Sequence, residues 1–274
     1  MPIPGAQRAL DRLRSSTPPR ALMIAGWVVA AVAAAIVVVA TLQSGNPSTA
    51  PMARPSSSPA PDPSPTPAPS PALDEDVSIV AMAKVPRVKV FRSRIADEPR
   101  LTLSHPTEIG VPLVFLVRTV TPERVRVLLP VRPNGSEGWI PRGSVRLRTH
   151  DFRIAVDLGD KRLTVFRGDG VFLRAPIGIG KRDTPTPGGT YYIKELLKPP
   201  DPNTVYGTYA YGLSGFSNQL TSFAGGDGVI GIHGTNDPST IGQTVSHGCI
   251  RMHNADIEKL VPVLPLGTPV EIRR

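Results

Sequence analysis

Cysteine is almost absent from this chain of 274 residues. Cys249 is the single one, so the sequence excludes an intrachain disulfide, which is the usual structural role of cysteine in exported proteins. The role that remains for a lone thiol is chemistry, because a thiol becomes a useful nucleophile when a nearby imidazole accepts its proton. His233 lies sixteen residues before Cys249 in the sequence. Together the two residues predict a cysteine acyltransferase or hydrolase.

Charge is absent from residues 21–42, which are otherwise mostly Ala, Val, Ile and Leu. A helix needs about 20 apolar residues to cross a bilayer, whereas the apolar part of a signal peptide has about 7–15. We therefore expect an uncleaved transmembrane helix, although its alanine-rich middle leaves cleavage open. Arginines concentrate before this segment, so residues 1–20 are predicted to be a cytoplasmic tail and the rest of the chain to lie outside. These arginines are Arg8, Arg12, Arg14 and Arg20.

Residues 43–76 form a predicted linker rich in proline and serine. Ten prolines lie between Asn46 and Ala72, among Ser, Ala and Thr. Such a composition cannot bury a core and favours polyproline II, which extends about 3.1 Å per residue. We expect a stiff stalk that holds the following domain several tens of ångströms above the membrane.

Residues 77–148 are predicted to be a basic β module. They hold 13 Lys or Arg against 5 Asp or Glu, whereas residues 149–274 hold 13 against 12. Short runs of Val, Ile, Leu and Phe alternate with turn formers, and residues 132–138 give a strong hairpin signal. An anionic polymer outside the cell is a candidate partner for this charge, while a solvated surface without a ligand is the alternative. The predicted outward location argues against nucleic acid.

Residues 149–274 are also predicted to be mainly β. Residues 153–158 and 162–166 form a predicted hairpin, and further strands are expected at 171–180, 188–193 and 270–272. One short helix is predicted from Ala255 towards Val261, with Asn254 as its N-cap. The chain therefore reads as one transmembrane helix followed by two β-rich modules.

Two segments of the second module resemble a known family. The first is Ile232-His233-Gly234-Thr235, and the second runs from Ser246 to Met252 with the order Ser-His-Gly-Cys-Ile-Arg-Met. Both are similar to the signature of the L,D-transpeptidase catalytic domain, often called YkuD-type, and the likeness extends over roughly residues 149–273. A shorter stretch, residues 138–145, resembles the end of bacterial SH3-like wall-associated domains. These resemblances imply a β-rich catalytic domain preceded by a small SH3-like β-barrel.

The family resemblance implies an enzyme of the bacterial cell wall that needs no cofactor or metal. Cys249 is expected to attack a donor tetrapeptide of peptidoglycan, expel D-Ala and pass the thioester to an acceptor amine, which links two third-position residues. His233 is the expected general base, and the Gly234 carbonyl is expected to fix its tautomer. The resemblance further implies acylation of Cys249 by carbapenems and indifference to most penicillins. The remaining site residues are an oxyanion hole and orienting groups (Ser246, His247 and Gly248) and a substrate-binding or bracing residue (Arg251).

Two alternatives stay open at this point. Water as the acceptor would make the enzyme an L,D-carboxypeptidase. A zinc-stabilised wall-binding module is the other, because four potential zinc ligands occur near the motif. These ligands are His233, His247, Cys249 and His253. We expect His105, His150 and His253 to be ordinary surface or packing residues.

Overall fold

The computed structural model describes residues 77–221 and 227–274. The predicted cytoplasmic tail, transmembrane helix and linker, residues 1–76, lie outside the described residues. Within the two described stretches, no helix has the length and apolar character needed to span a membrane.

The first module is built from a five-stranded antiparallel sheet and a separate hairpin. The sheet has the order β6-β5-β4-β1-β7, and β2 pairs with β3. Alternating apolar and charged residues explain these strands: in Arg87–Val90 the two valines are buried and the basic residues are exposed. The strands are β1 (Ser78–Ala83), β2 (Arg87–Val90), β3 (Leu101–Ser104), β4 (Val114–Val120), β5 (Arg124–Leu128), β6 (Glu137–Pro141) and β7 (Val145–His150).

Sequence predictions for this module are largely confirmed. The turn predicted at residues 132–138 joins β5 to β6, which pair antiparallel from Leu128 opposite Glu137 to Arg124 opposite Pro141. Neither β3 nor β7 was predicted as a strand, and the Leu-Thr-Leu-Ser sequence of β3 is short and only half-buried. β7 continues to His150 and pairs with β1, so the sheet extends two residues beyond the predicted boundary at 148. The SH3-like character of this module stays a prediction.

The second domain has an eight-stranded sheet of order β10-β9-β8-β17-β12-β13-β14-β16. Most pairs are antiparallel, but β17 runs parallel to β8 and β14 runs parallel to β16. A two-stranded parallel pair, β11 with β15, lies beside it. The strands are β8 (Phe152–Asp157), β9 (Arg162–Arg167), β10 (Gly170–Pro176), β11 (Ile179–Gly180), β12 (Gly189–Leu197), β13 (Ala210–Phe216), β14 (Val229–His233), β15 (Thr244–Ser246), β16 (Ile250–Arg251) and β17 (Pro269–Arg273).

One α-helix, α1 (Asn254–Leu260), packs against this sheet. It buries Ile257 and Leu260 in the main apolar core of the domain. The predicted N-cap is wrong by one residue, because His253 holds the cap position and Asn254 is the first residue of the helix. The side chain of Asn254 instead accepts hydrogen bonds from the main-chain N–H groups of Thr208 and Thr235.

The two sheets meet in a small apolar seam. Buried Val114 and Leu116 of β4 pack there with Tyr192 of β12. The Tyr192 hydroxyl donates a hydrogen bond to the Val114 carbonyl at 3.0 Å, so its buried polar atom is satisfied across the seam. The first module is thus attached directly to the second domain by both apolar and polar contacts.

Candidate active site

His233 is the last residue of β14, which lies between β13 and the edge strand β16 of the eight-stranded sheet. β14 pairs with β13, which places His233 opposite Ala210, and with β16, which places His233 opposite Arg251. The alternation of Val229–His233 buries Ile230 and Ile232 on the apolar side. His233 itself is buried, with 4% of its surface exposed.

The His233 ring is held in one tautomer. Its Nδ1–H donates to the main-chain carbonyl of Gly234 at 2.6 Å, which leaves Nε2 to accept a proton. Burial lowers the pKa of His233 to about 4, with main-chain hydrogen bonds raising it and the Arg251 charge lowering it. His233 is therefore a neutral imidazole at neutral pH, the form that a general base requires.

Cys249 lies in the turn between β15 and β16, immediately before the strand that pairs with β14. It is a free, half-buried thiol. Burial raises the pKa of Cys249, while a main-chain hydrogen bond at Gly231 and the charge of Arg251 lower it. A neighbouring imidazole is generally expected to lower the pKa of a thiol. The structure instead favours a resting pair of neutral thiol and neutral imidazole.

Ser246 and Gly248 shape the turn that carries the thiol. The Ser246 hydroxyl donates to the Cys249 carbonyl at 2.6 Å and accepts from the Gly248 N–H at 3.1 Å. Gly248 has φ of +117°, a left-handed conformation that other residues rarely adopt. A Cβ there would meet no atom closer than 3.6 Å, so conformation rather than lack of space explains the glycine. The Gly248 amide is engaged by Ser246.

Gly234 and Asn254 hold the loop that orients His233. The Asn254 Oδ1 accepts a hydrogen bond from the Thr235 N–H at 3.0 Å and from the Thr208 N–H at 3.3 Å. A Cβ on Gly234 would overlap this same oxygen. Gly234 is therefore glycine because Asn254 must approach its backbone closely. Asn254 thereby braces the loop that contains the Gly234 carbonyl, the acceptor of the hydrogen bond from the His233 Nδ1–H.

Arg251 lies beside His233 on the neighbouring strand. Its main chain exchanges hydrogen bonds with Gly178 at 2.8 and 3.0 Å, which anchors β16 to the segment before β11. Its buried Nε has no hydrogen-bond partner among the described residues. A buried donor without a partner is costly, so this atom is suited to receive a ligand oxygen.

These side chains line one cleft. His233, Ser246, His247, Cys249 and Arg251, five of the residues predicted from the motif, all contribute to its walls. Gly234 and Gly248 act behind the cleft through the main chain. The sequence did not identify the remaining lining residues: Val205, Tyr206, Ser217, Leu220, Gly228, Val229 and Ile230.

Among the lining residues that the sequence did not identify, Tyr206 contacts the ring of His233. Its ring packs edge-on against His233, with centroids 5.2 Å apart. Burial raises the pKa of Tyr206, and the negative charge of Cys249 raises it further once that thiol is ionised. An aromatic residue in a proline-rich loop was the available signal, but the sequence does not indicate which strand end the loop covers.

The zinc alternative gains no support from the part of the chain that the structure describes. Within residues 77–221 and 227–274, no three or more His, Cys, Asp or Glu side chains are grouped as metal ligands. His253 lies at the N-cap of α1. His105 and His150 accept main-chain hydrogen bonds in the first module, from Leu113 and Phe152 respectively.

Comparison with known proteins identifies the family of this chain. A family model for the YkuD L,D-transpeptidase catalytic domain matches residues 151–272. The Bacillus subtilis (strain 168) protein named as L,D-transpeptidase YkuD is 40% identical over 126 residues, 46% of this chain and 68% of that protein. The chain belongs to the L,D-transpeptidase family. This membership implies an enzyme of the acyltransferase type.

Two further L,D-transpeptidases are more distant. ErfK/SrfK of Escherichia coli (strain K12) is 34% identical over 163 residues, and the chain spans about half of it, with 53% of this chain and 51% of that protein covered. A crystal structure of an L,D-transpeptidase from Mycobacterium tuberculosis H37Rv has 14% identity and a TM-score of 0.38, covering 58% of this chain and 98% of that one.

Proposed function

We propose that this chain is a peptidoglycan L,D-transpeptidase that works through a thioester on Cys249. The observation that carries the proposal is the pairing of a half-buried thiol with a neutral, tautomerically fixed imidazole in one cleft. Membership of the L,D-transpeptidase family supplies the reaction class.

In the first half-reaction, His233 removes the thiol proton as sulfur attacks the carbonyl of the third residue of a donor tetrapeptide. A thioester bond forms and the amide bond to the terminal D-Ala breaks. The D-Ala amine leaves with the proton held by His233. Because both groups start neutral, no preformed thiolate–imidazolium pair is required, and the proton moves during the attack.

In the second half-reaction, an amine on an acceptor stem peptide attacks the thioester. His233 takes the amine proton, an amide bond forms between two third-position residues, and the Cys249 thiol is restored. Water in place of the amine would give the L,D-carboxypeptidase reaction. The two acceptors share every step up to the thioester, so the first half-reaction is the primary test of the proposal.

Main-chain amides of the Cys249 turn are suited to bind the oxyanion. The Gly248 N–H donates to the Ser246 hydroxyl, so the proposed oxyanion donor is the N–H of Cys249. A fixed amide at this position stabilises the tetrahedral intermediate because it needs no reorganisation during the reaction. Ser246 is then an orienting residue of the turn.

Arg251 is proposed to bind a carboxylate of the donor peptide. Its partly buried guanidinium lines the cleft, and its Nε has no partner among the described residues. A carboxylate can accept such donors in a bidentate manner. The Arg251 charge also favours the thiolate that develops during attack.

The same proposal includes location and partners. Residues 21–42 would anchor the enzyme in the bacterial cytoplasmic membrane, and residues 43–76 would raise it towards the wall. The basic SH3-like module, residues 77–148, would attract anionic wall polymer. Carbapenems would acylate Cys249 and most penicillins would not.

Intact-protein mass spectrometry tests the proposal. The full-length chain is mixed with a disaccharide-tetrapeptide donor, beside the Cys249→Ala variant as control. We expect an adduct equal in mass to the donor minus D-Ala, and none on the variant. An unmodified wild-type protein, or an equal adduct on the variant, would contradict the assigned nucleophile. Adding an acceptor stem peptide afterwards separates cross-linking from hydrolysis by the mass of the released product.

A further inference from the structure

One wall of the cleft is supplied by the loop that follows β13. The described ends of this loop, residues 216–221 and 227–228, contribute Ser217, Leu220 and Gly228 to the cleft lining. The Ser217 N–H donates to the Gly228 carbonyl at 2.8 Å, which joins the two described ends of the loop through the main chain. Further contacts to these loop ends come from outside the catalytic domain.

Arg132 of the first module bridges both loop ends. Its Nη1 donates to the Ser217 carbonyl at 2.9 Å. Its Nη2 donates to the Leu220 carbonyl at 3.0 Å and to the Asp227 carbonyl at 2.9 Å. One planar guanidinium therefore holds three main-chain carbonyls from the two ends of the loop, an arrangement suited to the fixed fork of arginine donors.

Asn134 holds the point where the loop begins. Its Oδ1 accepts from the Phe216 N–H at 2.9 Å, and its Nδ2 donates to the Phe216 carbonyl at 2.8 Å. The side-chain amide thus bonds both main-chain groups of the last residue of β13, as a neighbouring strand would. The Arg132 guanidinium also lies 4.8 Å from the centroid of the Phe216 ring, within the range of a cation–π contact.

The turn that presents these two residues is itself fixed. It closes the β5–β6 hairpin, with the Leu129 N–H donating to the Ser136 carbonyl at 2.8 Å. The Ser136 hydroxyl donates to the Pro133 carbonyl at 2.7 Å. Arg132 and Asn134 therefore approach the loop from a rigid support.

We propose that Arg132 and Asn134 are positioning residues for the wall of the cleft formed by the loop after β13, through which the first module shapes the catalytic site. The loop ends that they hold provide lining residues, whereas the Cys249 turn and His233 are held within the catalytic domain. We call the hydrogen bonds from Arg132 and Asn134 to the loop ends the clamp. The effect on catalysis rests on the proposed function, whereas the existence of the clamp does not.

The activity test compares Arg132→Ala, Asn134→Ala and Arg146→Ala in the full-length chain. Arg146 is an exposed arginine of the same module, on β7, that makes none of these contacts, so it controls for the lost charge. We expect acylation efficiency with the tetrapeptide donor to fall about 10- to 100-fold in Arg132→Ala, since small displacements near a site have effects of this size. Arg146→Ala should stay within about twofold of wild type. Arg132→Lys should restore only part of the loss, because an ammonium lacks the planar fork.

Alkylation by iodoacetamide separates positioning from damage to the nucleophile. Cys249 is the single cysteine of the chain, so the reagent reports on this thiol alone. The rate of Cys249 alkylation should stay within about twofold of wild type in the three alanine variants. Equal losses of alkylation and acylation in Arg132→Ala would overturn a positioning role.

Hydrogen exchange tests the clamp even without enzymatic activity. The amides of Phe216, Ser217 and Leu220 should exchange faster in Arg132→Ala and Asn134→Ala than in Arg146→Ala, with Phe216 most affected by Asn134→Ala. Unchanged exchange would refute the clamp. Faster exchange with normal acylation would refute the positioning role. If wild type forms no adduct, the proposed function fails while exchange still decides whether the clamp exists.

Discussion

The two sides of the cleft are held in different ways. On the catalytic side, His233 and Cys249 belong to adjacent parallel strands and their turns, and their supports, Ser246 and Asn254, lie within the same domain. On the loop side, the segment after β13 is hydrogen-bonded to Arg132 and Asn134 of another module, more than 80 residues away in sequence. The chemistry is therefore encoded locally, whereas the shape of the cleft depends on a distant contact.

This difference suggests separate roles for the two supports. Hydrogen bonds on the catalytic side set tautomer, turn conformation and strand register. Those on the loop side set the position of one wall of the cleft. Changes on the first side should alter the reactivity of the thiol, and changes on the second should alter donor recognition while the thiol stays intact.

The largest expected effect after loss of the nucleophile is that of His233→Ala. Removing the proposed base should lower the acylation rate about 10²- to 10⁴-fold, since general-base catalysis contributes on this scale. Intact-mass kinetics at saturating donor measure the rate, with Arg146→Ala as the control. A loss smaller than about tenfold would mean that another group accepts the proton. It would contradict the view that His233 controls the reactivity of the thiol.

The pH dependence of acylation should follow the low pKa of His233. Because burial lowers that pKa to about 4, the base stays neutral at pH 5, and the rate should be nearly level from pH 7 to 5 and fall about tenfold per unit below 4. An exposed imidazole would instead lose activity below about pH 6.5. A decline centred near 6.5 would contradict a buried neutral base.

The lowered pKa of His233 also predicts that the folded state loses stability as the pH falls. The folded-state pKa of His233 lies below its ordinary value of 6.5, so in the window from 6.5 to about 4 the unfolded chain binds more protons. The contribution of neutral His233 to the free energy of unfolding is fully present above pH 6.5 and is lost as the pH falls from 6.5 to about 4. Circular dichroism at each pH distinguishes loss of the fold from protonation of the base.

The smallest expected effect is that of Tyr192→Phe at the seam. It removes the hydrogen bond to the buried Val114 carbonyl, so the free energy of unfolding should fall by about 1–2 kcal/mol. Acylation should stay within about twofold of wild type. Tyr191→Phe is the matched control, because its hydroxyl bonds Gly188 inside the catalytic domain. An acylation loss as large as that of Arg132→Ala would mean that the seam, and not the clamp, carries the coupling.

Local patterns predicted much of this fold. The β8–β9 hairpin and the turn after β5 follow from alternation of apolar residues and from turn formers. The helix was predicted within one residue at each end, although its N-cap was misassigned. That error has a tertiary cause, since the Asn254 oxygen is engaged by Thr208 and Thr235. Sequence patterns do not reveal a competing partner so distant in the chain.

The motif determined the identity of the chemical groups: one thiol, its histidine and the glycines between them. Residue types and short spacings are properties of the chain itself, so these could be recognised without coordinates. The tertiary structure decided the protonation states, because burial raises the pKa of Cys249 and lowers that of His233. It also decided that Tyr206 packs on the imidazole and that Arg132 bonds the cleft loop. Desolvation and long-range contacts exist only once the chain is folded, so the linear sequence carries no direct signal for them.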